Sequence, residues 1–164
     1  MSLRAAAAGA ASYTGAVVFG AYDQRLSWKV VSSSSFQRSE GDPANVLDGA
    51  GETYWISRWR GSAAPPPHNI VLDFGETLNV ASVLYTGRAG NPGGRVKDYE
   101  IYLSGDGKDW GDPVSKGTLS MEPLHQTIAF AHPVKGRYLK FAVLSEHTDG
   151  RMAAIAELDV GLAK

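Results

Sequence analysis

Cysteine is absent from all 164 residues of the chain, which removes disulfide scaffolds, cysteine nucleophiles and thiolate metal sites from consideration. A domain of this length can fold without cross-links, so the absence says nothing about compartment. No apolar run approaches the roughly 20 residues that carry a helix across a bilayer. Neither sign of charge is in excess: 16 Lys and Arg stand against 17 Asp and Glu, a formal net charge of -1. That balance gives no overall attraction to nucleic acid or to an anionic membrane.

Catalytic patterns are missing as well. His68, His125, His132 and His147 lie far apart, without the i, i+4 spacing of a helical zinc pair. His68 and His132 adjoin proline or turn segments and read as surface or strand-end residues. There is no Gly-x-Ser-x-Gly elbow and no phosphate-cradling glycine loop leading into a helix. Asp106, Asp109 and Asp112 imitate a calcium loop, but the closing glutamate is lacking and a hairpin turn explains them better. The chain therefore reads as a binding domain and not as an enzyme.

What is present is a succession of short β-type runs. Ala16–Phe19, Trp28–Ser34 (anchored by Trp28, Val30 and Val31), His68–Phe74, Leu78–Thr86, Tyr99–Leu103, His125–Ala131, Arg137–Leu144 and Ala154–Val160 are rich in β-branched and aromatic residues. Asp106-Gly107 marks a hairpin turn. Asp42 followed by Pro43 predicts one helical turn over Pro43–Leu47. Prolines 65–67 place the preceding segment in an exposed connection. Many strands, close-set turns and almost no helical period predict an all-β fold, an antiparallel β sandwich. Residues 1–12, alanine-rich, read as a linker or expression-derived lead-in, and 13–164 as a single domain.

The stretch Asn45–Trp55 has no regular period, yet it ends in Tyr54 and Trp55, two aromatics expected in the core. Gly49 and Gly51 let the chain curl, and with the Asp48 carboxylate and Thr53 hydroxyl they can form an oxygen-rich cage for a hard cation such as calcium. A plain turn, with Asp48 bonded to its own backbone, is the alternative.

Taken in order, Trp28-Lys29-Val30, Asn45-Val46-Leu47-Asp48-Gly49, Thr53-Tyr54-Trp55, His68 to Gly75, Lys97 to Tyr102, Ser104 to Trp110, Arg137 to Lys140 and Ala156-Glu157-Leu158 resemble the discoidin, or coagulation-factor C-type, domain. Within it the sequence is most similar to bacterial family 32 carbohydrate-binding modules. The resemblance implies a jelly-roll sandwich of the galactose-binding-domain type with a structural calcium. It implies ligands from Asn45, Ala50 and Ala156 through carbonyls, from Thr53 through carbonyl and hydroxyl, and from the Asp48 and Glu157 carboxylates. Without the ion, Glu157 is an ordinary strand residue.

The resemblance also places the ligand in loops at one end of the sandwich, spanning 56–61, 87–94 and 146–152. A sugar needs an aromatic face for its C–H surface and fixed polar groups for its hydroxyls. Trp59 is the expected platform, and Arg88 in the facing loop the expected forked donor. The alternatives are an indole packed under the proline run and a loop salt bridge. Galactose-type relatives commonly carry a histidine where this chain has Ile56, and an asparagine near Gly93 or Gly94, for which Asn91 can substitute. Arg58, Arg60, Arg88 and Arg151 together would favour an acidic sugar. The expected function is a non-catalytic glycan-binding module, for a neutral or acidic sugar. Other domains of a larger chain are the expected partners, and the setting is extracellular, cell-surface or periplasmic. The alternative is a protein-interaction, adhesion or spacer domain with a silent sugar site. Loop tips of Gly, Pro and Ala disfavour membrane insertion.

Overall fold

The computed structural model describes residues 13, 15, 17–19 and 25–164; the lead-in over 1–12 and the segment up to Tyr22 beyond Phe19 lie outside the described residues. Nine strands are found there: β1 (Val17–Phe19), β2 (Lys29–Ser33), β3 (Trp55–Ile56), β4 (His68–Thr86), β5 (Asp98–Ser104), β6 (Ser115–Thr118), β7 (His125–Val143), β8 (Ala154–Ile155) and β9 (Glu157–Ala163). The runs His68–Phe74 and Leu78–Thr86, expected as separate strands, form one bent element, β4. It pairs antiparallel with β7 from His68 opposite Val143 to Thr86 opposite His125. The ladder slips between Asp73 and Leu78 and again between Val80 and Ser82. At the first slip Gly75 takes φ 80°, a conformation that costs glycine little. The ribbon there turns out of one layer into the other.

Each half of the ribbon recruits its own neighbours. The first half of β4 carries β2, and the facing half of β7 carries β5 and then β6. The second half of β4 carries β9, with β1 beyond it. The layers face one another where Tyr85 stacks on Phe141 with centroids 6.1 Å apart, and within one layer Tyr99 of β5 lies 5.9 Å from Phe141 of its neighbour β7. The result is the expected antiparallel jelly-roll sandwich.

The period of two decides the core. Ile70, Leu72 and Phe74, then Val83 and Tyr85, point inward from β4, and Ile128, Phe130, Leu139, Phe141 and Val143 meet them from β7. Trp28 packs edge-on against Phe74 at 5.0 Å. Val31, expected as a strand anchor, is 50% exposed. It lies where the pairing of β2 with β4 slips between Val30 and Ser32. The last strand is also divided. Ala156 donates its N–H to the Thr86 carbonyl at 2.9 Å, leaving β8 to pair with β3 and β9 with β4. The helical turn at Pro43–Leu47 is present as a 3-10 turn, with Asp42 accepting from the Ala44 N–H at 2.9 Å.

Candidate functional site

The turn after β2 builds one end of the sandwich. Gln37 N–H donates to the Ile56 carbonyl at 2.9 Å, and Gly41 N–H returns to the Gln37 carbonyl at 3.0 Å. A Cβ at Gly41 would lie 2.3 Å from Ile56 Cγ2 and 2.6 Å from its backbone nitrogen, so only glycine lets the turn lie on β3. The Gln37 side-chain oxygen accepts the N–H groups of Trp59 (3.2 Å) and Arg60 (3.0 Å), tying the 57–60 segment to the same turn.

Glu40 becomes the meeting point. Trp59 Nε1 donates to Glu40 Oε2 at 3.3 Å, and the Tyr54 hydroxyl donates to Oε1 at 3.0 Å. Arg88 crosses from the facing loop, lies 4.3 Å over the Tyr54 ring, donates to the Tyr54 hydroxyl at 2.9 Å, and reaches Glu40 Oε1 at 3.5 Å. Trp59 is half-buried and carries the Arg60 guanidinium 4.9 Å from its ring centre. Two aromatics, a carboxylate and a forked cation thus share one rim. Chemically it offers a surface for C–H groups beside an acceptor and a donor for adjacent hydroxyls.

A second constellation joins the Asn45–Trp55 loop to β9. Thr53 Oγ1 donates to Asp48 Oδ2 and lies 3.2 Å from the Ala50 carbonyl. The Asn45 carbonyl accepts the Asp48 N–H at 3.3 Å, and the Ala50 N–H donates to Asp48 Oδ1 at 2.8 Å. Glu157 reaches across from β9, with Oε1 accepting the Gly49 N–H at 2.9 Å and Oε2 held by Arg25 at 3.1 Å. Burial, and then the adjoining Asp48 carboxylate, push the Glu157 pKa up to about 7. Burial would raise Asp48 too, but hydrogen bonding with Glu157, Thr53 and the Ala50 N–H outweighs it and holds that carboxyl low. Two close carboxylates with a hydroxyl and carbonyls between them are what a hard, oxygen-seeking cation requires. Among the described residues no three His, Cys, Asp or Glu side chains gather anywhere, so a zinc-type ligand set is not formed. Of the six expected ligands the structure gathers the Asp48 and Glu157 carboxylates, the Thr53 hydroxyl and the Asn45 and Ala50 carbonyls, whereas the contact made by Ala156 is its N–H to Thr86; the Arg25 guanidinium on Glu157 is the electrostatic competitor of a cation there.

The F5/8 type C domain family matches residues 29–158. The chain belongs to this family. It is 39% identical over 156 residues to a sialidase of Micromonospora viridifaciens, covering 93% of the chain and 24% of that protein. It is 29% identical over 143 residues to a galactose oxidase of Gibberella zeae, covering 86% of the chain and 21% of the relative. The chain thus spans about a quarter or less of these relatives. Among solved structures, CpGH89CBM32-5 from Clostridium perfringens, in complex with GalNAc-beta-1,3-galactose, superposes with a TM-score of 0.77 at 24% identity, covering 84% of this chain and 96% of that one. The family 32 carbohydrate-binding module of C. perfringens NanJ, in complex with galactose, gives 0.75 at 24% identity, with the same coverage. These likenesses establish the shared fold.

In this F5/8 type C domain the remaining expected ligand residues are dispersed. Asn91 Oδ1 folds back to the Gly93 N–H at 2.9 Å, although the Gly93 carbonyl itself lies 3.5 Å from Arg88 Nη1. Arg58 Nε donates to the Ser62 carbonyl at 2.8 Å, and its side chain lines the cleft beside Ser32–Ser35 and not the rim. Arg151 is exposed, and its carbonyl accepts from His68 Nε2. His68, expected as a surface or strand-end residue, opens strand β4 but is 1% exposed, and burial holds its imidazole below the usual pKa. Ile56, in the position where galactose-type relatives commonly carry histidine, is sealed beneath Gly41 at 1% exposure and contributes no polar group. Tyr54, expected in the core beside Trp55, is half-buried at the rim, whereas Trp55 is fully buried and donates its indole N–H to the Ser35 carbonyl at 2.9 Å.

Three contributors to the rim went unforeseen: Glu40, Tyr54 and Gln37. No strand period marked Tyr54 as a rim residue: β3 begins after it, and both residues of that strand, Trp55 and Ile56, are buried. Another unforeseen residue is Glu146, which carries the loops of this F5/8 type C domain. Buried to 4% exposure, it accepts from the Gly94 N–H (3.1 Å), the Thr148 N–H (2.8 Å), the Thr148 hydroxyl (2.7 Å) and the Gly150 N–H. It thereby locks the 87–94 and 146–152 loops together.

Proposed function

We propose that this F5/8 type C domain is a non-catalytic carbohydrate-binding module that grips a neutral hexoside of galactose type on the Trp59–Tyr54–Arg88 rim. The observation that carries the reading is the convergence of all three side chains on Glu40. A carboxylate at the centre accepts paired sugar hydroxyls and repels an acid, which favours a neutral sugar there over the acidic one that the arginine count pointed to. The indole receives the C–H face of the ring. Calcium in the Asp48–Glu157 cage fastens the early loop to β9, and the module works outside the cell. Linked to a glycan-active enzyme, it raises the enzyme's local concentration at its substrate. Calorimetry with lactose tests the reading. Binding is expected in the micromolar-to-millimolar range and is lost in both Trp59→Ala and Glu40→Gln while the melting temperature stays within a few degrees. Lactose binding that survives both substitutions, or silence toward every neutral galactoside, overturns it.

A further inference from the structure

A well-defined concavity lies beside the rim and not in it. A cleft of about 730 Å³ runs between the outer side of β2 and the turn at Pro43–Leu47, within the size range of small-molecule sites. Two of the few exposed large apolar side chains among the described residues, Phe36 (40%) and Val31 (50%), lie in its wall. Beside them are the serine run 32–35 and two arginines, Arg38 and Arg58.

The polar inventory shows what this wall can still bind. The Ser34 hydroxyl accepts the Asn69 N–H and the Ser35 hydroxyl accepts the Arg58 N–H, so both serines are fixed by the backbone. Arg58 uses only Nε, toward the Ser62 carbonyl. The ion pairs among the described residues belong to Arg25, Arg88, Arg95 and Arg137, so neither Arg38 nor Arg58 is neutralised. Asp42 is the one carboxylate of the wall, and it is turned to the Ala44 N–H. An exposed aromatic ring with two unneutralised forked cations is a stacking surface beside a carboxylate receptor.

The cleft adjoins the rim. Gln37 belongs to its wall and also accepts the Trp59 N–H, while Glu40 and Phe36 border the same adjoining hollow. We infer that the Phe36–Arg38–Arg58 cleft is a second subsite that takes an anionic, carboxylate-bearing sugar unit of a chain whose neighbouring unit occupies the rim. This rests on the glycan-binding reading above, and it divides the work: the carboxylate at the rim selects a neutral unit, and the arginines beyond it select a charged one.

A matched pair of probes isolates the charge: β-D-glucuronosyl-(1→3)-galactose and β-D-glucosyl-(1→3)-galactose, which differ at C6 of the unit beside galactose. Charge-assisted hydrogen bonds from two arginines predict about a tenfold preference for the uronate. That preference is expected to fall several-fold between about 50 and 300 mM salt, and to vanish in Arg38→Gln/Arg58→Gln. Amide and side-chain NMR shifts locate each event. The uronate is expected to move Phe36, Arg38 and Arg58 as well as the Trp59 indole, and lactose to move the Trp59 indole alone. Equal affinity for the two disaccharides, or uronate shifts confined to Trp59 and Arg88, overturns the second subsite and leaves the rim intact. Uronate shifts at Phe36 and Arg38 with none at Trp59 for either probe would instead sustain the cleft and remove the rim.

Discussion

Replacing Glu146 with glutamine keeps the volume of the side chain and removes its charge. The native carboxylate receives two N–H groups on Oε2, a third on Oε1, and the Thr148 hydroxyl between them. In the variant one oxygen becomes a donor and faces donors, and the other loses its charge. Hydrogen bonds to a charged group are worth about 1.5–3 kcal/mol each, and a buried unsatisfied donor costs about 1–3 kcal/mol. Part of that is recovered because Thr148 and Gly150 are exposed and can turn to water, which leaves a loss of about 3 kcal/mol. At about 2–4 °C per kcal/mol for a domain of this size, the melting temperature should fall by about 6–12 °C. Burial alone would raise this carboxyl, but the bonds from Thr148, Gly150 and Gly94 hold it below the usual 4.5. A lowered native pKa stabilises fully above the unfolded value and ceases to as pH falls through the native one. The difference between wild type and Glu146→Gln, read by calorimetry, should therefore be complete at pH 6 and shrink steadily below about pH 4. A variant that melts with the wild type at pH 6, or a difference that does not shrink on acidification, refutes the reasoning.

Further outcomes follow from the same geometry. Calcium should raise the melting temperature by several degrees in wild type and by nothing in Asp48→Ala; a wild-type melting curve unchanged by chelator would remove the ion from the cage. Gly94 sits at φ 85°, and a Cβ there would lie 2.8 Å from the Ala154 nitrogen and 2.9 Å from its Cβ. Gly94→Ala should cost about 2–4 kcal/mol through strain and the displaced strand, measured by urea unfolding, with Gly90→Ala as the control. Gly90 has a similar φ of 74° but open space around it, so its cost should stay near 1 kcal/mol.

The layers and most of the core were legible because alternation survives in β4, β7 and β9, and the Asp42-Pro43 cap was legible because its chemistry is local. The bend that fuses His68–Phe74 with Leu78–Thr86 was not. Gly75 and the charged Glu76 read as a turn between strands, and only the partner strand β7 reveals that pairing resumes beyond it. For the rim, Trp59 and Arg88 could be picked out by type and loop position. Glu40 could not, because Arg38-Ser39-Glu40-Gly41 reads as a solvated turn, and its role depends on Gly41 pressing against Ile56, a contact between that turn and β3. Arg58 and Arg60 lie two residues apart yet face different surroundings, one the cleft and the other the indole. No count of arginines distinguishes them.

The bent ribbon has a mechanical consequence. Since β4 and β7 run as unbroken 19-residue strands through the fold, the two halves of the sandwich share their backbones and are not merely stacked. Pulling one half away would have to tear hydrogen bonds lengthwise through the other. A load applied to a captured ligand is therefore spread over the whole body and does not peel off a single leaf.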